Sequence, residues 1–102
     1  MSGDDSDLGG FVPPPFNAEG ALVQLKRSLR DLKLAERGNA FELRGKRVVE
    51  LQLDGNTAIA VRLARKLALT PEWDKSAVRS AAEQRKLVDE VKKRLERWER
   101  EE

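Results

Sequence analysis

This chain has no histidine, no cysteine and no tyrosine. It therefore lacks the side chains that usually titrate near neutrality, supply a thiolate or hold a transition metal. Carboxylates, lysines, serines and threonines are the groups left for chemistry, so the expectation is a protein that is not an enzyme and carries no cofactor and no metal. The missing cysteines also exclude a disulfide framework and give no reason to expect an oxidising compartment. No apolar run approaches the ~18 residues of a membrane helix. The N-terminus, Met1 to Gly10, has neither a basic n-region nor an apolar h-region, so it does not read as a signal peptide. A soluble, cytoplasmic protein is expected.

What is present fits one modest domain. A chain of 102 residues buries somewhat more than ~60% of its unfolded surface, enough for one core without staples. The net charge of +2 hides an asymmetry: all 20 Lys and Arg follow residue 16, whereas Asp4, Asp5 and Asp7 precede it. The body after residue 16 thus carries +5, mildly favourable to acidic partners or polyanions.

Residues 1–16 are mostly Gly, Ser, Asp and Pro. Such a stretch buries too little apolar surface to offset its ordering entropy, so a disordered acidic, proline-rich tail is expected, with Pro13-Pro14-Pro15 as a stiff spacer. Residues 17–102 then form a single α+β domain. Asn17 is a good N-cap and Glu19 falls in the first turn. Ala18, Leu22, Leu25, Leu29 and Leu32 form one apolar stripe at the helical period. Gly38-Asn39 is expected to end the helix connection.

From Ala40 the apolar period changes to two. Phe41 and Leu43, then Val49, Leu51 and Leu53, then Ile59, Val61 and Leu63 mark three half-buried strands. Keeping these residues on one face requires odd loops, since opposed residues of a hairpin share a face. Three-residue or bulged turns are expected at Arg44-Gly45-Lys46, pairing Phe41 with Val49, and at Asp54-Gly55-Asn56, pairing Leu51 with Ile59. Thr70-Pro71 suggests a single turn of helix, with Trp73 as a lid on one end of the core. Ser80 and Glu83 form a capping box before a long helix striped by Leu87, Val91, Leu95 and Trp98. The expected architecture is a two-layer α-β-β-β-α fold, a three-stranded antiparallel meander with both helices on one face.

Three functional classes follow. Glu42 and Glu50 share the outer sheet face, but nothing in the sequence gives them the burial that acid–base catalysis requires, and solvated pairing with Arg44, Lys46 or Arg62 accounts for them. The preferred reading is a protein interaction module, binding another protein or forming a weak homodimer. Its candidate contact residues are Val48, Ala58, Ala60, Arg62 and Ala64 on the outer face, whose small side chains admit a close partner. The third strand, expected at the sheet edge, could accept an added strand.

The alternative is nucleic-acid binding. Arg44, Lys46 and Arg47 cluster at one hairpin tip, and Lys75 and Arg79 precede the last helix. The order α-β-β-β-α resembles the topology of the double-stranded RNA-binding domain, which grips phosphates from the start of its second helix. That resemblance implies phosphate contacts by Arg44, Lys46, Arg47, Lys75 and Arg79. The family's Gly-Pro-x-His loop is replaced here by Leu43-Arg44-Gly45-Lys46-Arg47.

Overall fold

The first helix forms where capping chemistry and apolar spacing coincide. In the computed structural model, which describes residues 16–101, α1 spans Ala18–Asp31, and the Asn17 side chain accepts the Gly20 amide. Ala18, Ala21, Leu22, Leu25 and Leu29 are buried, and Leu32 packs at the margin of the core. The helix stops before the expected Gly38-Asn39. Lys33 adopts a left-handed φ of 72°, its amide donates to Arg30, and the Leu34 amide donates to Leu29. These bonds close a Schellman motif, with Leu29 and Leu34 both in the core. Of the expected tail, residues 1–15 lie outside the described residues, while Phe16 packs against the core.

The meander has five strands where three were expected. They are β1 (Ala35–Arg37), β2 (Ala40–Leu43), β3 (Lys46–Asp54), β4 (Ala58–Ala64) and β5 (Trp73–Val78), each antiparallel to the next in chain order. The expected strands are β2, β3 and β4. Gly38-Asn39 makes the two-residue turn between Arg37 and Ala40, a hairpin signature that brings β1 into the sheet. Thr70-Pro71 leads into β5 instead of a helical turn. β5 pairs along β4 from Ala64↔Trp73 to Ile59↔Val78, so β4 is interior and cannot be the edge that accepts a partner strand. The physical reason is hydrogen-bond satisfaction. β4 carries core residues on one face, and a polar segment laid beside it pairs its otherwise empty row of amides and carbonyls.

Register follows the parity argument in its faces but departs from it in detail. Leu43 pairs with Lys46 across a two-residue turn at Arg44-Gly45, whose φ values of 54° and 79° are both left-handed, as a type I′ turn demands. Phe41 still pairs with Val49, because a β-bulge in β3 absorbs one residue. The β3–β4 loop has three residues, between Asp54 and Ala58, so Leu51 faces Val61 and Leu53 faces Ile59. That is a two-residue slip from the expected pairing, and an even slip by itself moves no side chain to the other face.

Helix α2 spans Ala81–Arg100. Ser80 Oγ accepts the Glu83 amide at 3.1 Å, while the Glu83 carboxylate accepts the Arg79 amide at 2.7 Å, a capping box displaced by one residue. Leu87, Val91 and Trp98 are buried. The buried residues of both helices join Phe41, Val49, Leu51, Ile59, Val61 and Leu63 in one core, and Gln84 Nε2 donates to Gln24 Oε1 of α1 at 2.9 Å. Among the described residues no helix is long and apolar enough to cross a membrane.

Candidate functional site

The sheet face away from the helices is polar, and its register aligns charge across the whole sheet. Arg37 opposes Ala40, Ala40 opposes Glu50, Glu50 opposes Arg62, and Arg62 opposes Lys75. Opposed residues share a face, so these five form one row across five strands, roughly 19 Å at the usual strand spacing. The next row is Gln52, Ala60 and Ala77. The small alanines leave a groove of about 540 Å³, into which Arg37, Arg47, Arg62 and Lys75 bring positive charge and Glu50 the opposite sign.

Glu50 organises the row. Its carboxylate accepts from Arg62 Nη2 at 2.7 Å and lies 3.3 Å from Arg47 Nη1. Glu42 lies 3.5 Å from Arg37 Nε. The Arg62 guanidinium also sits 5.6 Å from the Trp73 ring centroid, so cation–π attraction and an ion pair hold it on two sides. Lys75 has no ion-pair partner among the described residues. Each guanidinium keeps donors beyond those its carboxylate uses. The row can therefore bind anionic oxygens without dismantling itself.

The proposed contact set of Val48, Ala58, Ala60, Arg62 and Ala64 is only partly on this surface. Ala60 and Arg62 are exposed at the groove. Val48 is fully buried in the core, because it is the extra residue of the β3 bulge, where strict alternation of sides ends. Ala58 and Ala64 are buried at 5% and 0% exposure. Ala64 stands opposite half-buried Trp73, and its carbonyl accepts from Trp98 Nε1 at 3.2 Å. Trp73 is accordingly a strand residue whose half-buried ring packs against the core, with Arg62 beside it.

The phosphate-contact set is dispersed. Arg47 and Lys75 line the groove. The Arg44 guanidinium instead lies 3.4 Å from the Glu99 carbonyl of α2, Lys46 is half-buried opposite Leu43, and Arg79 precedes the α2 cap. Sequence reasoning missed Arg37 as a groove residue and assigned Lys75 to a pre-helical segment. The signals that find them are the Gly38-Asn39 turn and the pairing of Trp73–Val78.

A second charged network lies at the β4–β5 connection and ties β5 to α2. Asp74 Oδ1 accepts from Arg65 Nε at 2.8 Å, and Asp74 Oδ2 lies 2.9 Å from Arg94 Nη1. Arg94 Nε also donates to Glu90 at 2.8 Å. Hydrogen bonds from Arg65 and then Arg94 hold the Asp74 carboxyl below its usual range, and the bond from Arg94 does the same for Glu90. Each charge here meets an opposite one, so the network reads as a fastening. No protein-family model, curated protein or solved structure matches the chain.

Proposed function

We propose that this protein is a non-enzymatic interaction module whose outer sheet face binds an acidic, extended segment of another protein. The observation that carries the reading is the row Arg37–Ala40–Glu50–Arg62–Lys75, a cation at each end of a groove with alanine in its floor. Charge complementarity selects a partner rich in Asp or Glu, and the small side chains let its backbone approach. The Arg37 and Lys75 ends suit carboxylates spaced along an extended chain. A protein partner is favoured over single-stranded nucleic acid because Trp73 is the sole aromatic side chain among the described residues on this face, and Arg62 already occupies it. Base recognition relies on free aromatic platforms.

The test is titration of the labelled protein with an extended Asp/Glu-rich peptide, followed by amide shifts at low and moderate salt. Shifts centred on Gln52, Ala60, Arg62 and Lys75 that fade with salt are the expected result. A generic RNA duplex is the comparison. Absence of peptide-induced shifts at those positions, or shifts there with the duplex alone, overturns the proposal.

A further inference from the structure

The sheet has two edges of very different character. β1 offers three residues, whereas β5 offers six in unbroken register, Trp73–Val78, with no proline. The hydrogen-bond phase of β5 follows from a bond just beyond the ladder. The Arg65 amide donates to the Glu72 carbonyl at 2.9 Å, and hydrogen-bonded pairs recur at every second residue of an antiparallel ladder. Leu63↔Asp74, Val61↔Ser76 and Ile59↔Val78 are therefore the hydrogen-bonded pairs. The amides and carbonyls of Lys75 and Ala77 face away from the sheet. Such an unpaired row is a template for another strand.

We propose that the protein forms a twofold dimer by pairing β5 antiparallel with β5 of a second copy, with Ser76 on the axis. The register follows by elimination among the four central positions of the strand, Asp74 to Ala77. Opposed residues must share a face, so the axis passes through a residue and not between two. An axis at Asp74 or Lys75 sets like charges directly opposite each other, and an axis at Ala77 sets Lys75 against the partner's Arg79. Like charges so placed are destabilising. With Ser76 on the axis, Lys75 meets the partner's Ala77, Asp74 meets the partner's Val78, and Trp73 meets the partner's Arg79. Lys75 and Ala77, whose main-chain groups point outward, then exchange hydrogen bonds with their counterparts. Beside this edge lies a groove of about 420 Å³ between β5 and α2, with Glu83, Lys86 and Glu90 in its wall. A surface that meets its own copy needs both signs of charge within itself, and this one has them. One strand pair buries less than the ~1,600 Å² of a standard interface, so the association is weak and concentration-dependent.

Cysteine trapping tests the register, because the chain has no native cysteine. Ser76 would form a non-hydrogen-bonded pair with itself across the axis, its Cα atoms about 4.5 Å apart, which a disulfide spans. Ser76→Cys should oxidise to a covalent dimer, and Lys75→Cys, lying diagonally across the axis, should do so far more slowly. The Ala77 amide makes no bond to β4, so Ala77→Pro removes an outward donor without breaking the ladder. That variant should keep the wild-type melting temperature and sediment as a monomer at concentrations where the wild type dimerises. A wild type that stays monomeric up to millimolar concentration overturns the proposal. So does an Ala77→Pro protein that associates like the wild type, or equal oxidation rates for the two cysteine variants. Should Ala77→Pro fail to fold, the cysteine pair and wild-type sedimentation still decide.

Discussion

Lys33 shows at the scale of one residue how local geometry sets stability. It sits at the C′ position of α1 with φ of 72°, where a side chain costs energy that glycine does not incur. Lys33→Gly should stabilise the protein by about 1 kcal/mol, measured by chemical denaturation, with Leu34 still bonded to Leu29. Leu51 presents the opposite case. It is 3% exposed in the central strand, facing Val61, and Leu51→Ala should cost about 2–5 kcal/mol through lost burial and a residual cavity. A loss below about 1 kcal/mol in the same assay would mean that the side chain does not face the core.

The elements are fastened to one another at the β4–β5 connection. Trp98 and Arg94 of α2 both bond the Ala64 carbonyl, Arg97 bonds the Arg65 carbonyl, and Asp74 joins Arg65 to Arg94. This network carries a pH dependence whose sign is definite. Asp74 and Glu90 have carboxyl pKa values lowered in the folded protein by their arginine hydrogen bonds. Their stabilisation is therefore complete above the ordinary carboxylate range and is lost as pH falls through the depressed folded values. The melting temperature should hold from neutral pH to about 5 and fall below about pH 4. In Asp74→Asn that acid limb should be shallower, with a lower melting temperature at pH 7. An unchanged acid limb would mean that Asp74 is not held by its arginines in solution.

At the scale of the molecule, α1 and α2 close one face of the sheet and leave the charged row open on the other. Ala60 stands in that groove and is exposed, so Ala60→Glu should melt as the wild type does while weakening binding of an acidic peptide by tenfold or more. Unchanged affinity in that variant would place binding elsewhere. Pairing of two β5 edges would extend the same face into a second copy and bring two Lys75 ends near one axis. Weak association and a modest groove would then reinforce each other through two linked contacts.

Local chemistry in the chain determined the two helices, three of the strands and the core residues Phe41, Val49, Leu51, Ile59, Val61 and Leu63, but not the burial of Val48, Ala58 and Ala64. Asn17 and Ser80 cap, the leucine stripes recur at the helical period, and Phe41, Leu51 and Val61 alternate with polar neighbours. These signals act over a few residues and need no knowledge of the rest of the fold. The tertiary structure decided β1 and β5, because Ala35–Arg37 has only three residues and Trp73–Val78 has no alternating apolar face, so both form strands by pairing with a sheet that already exists. It also decided which residues meet across the groove. A slip of two residues preserves every face while changing every cross-strand partner, and the bulge that buries Val48 breaks the alternation outright. The row from Arg37 to Lys75 depends on register across all five strands, a property of the assembled sheet and of no single segment.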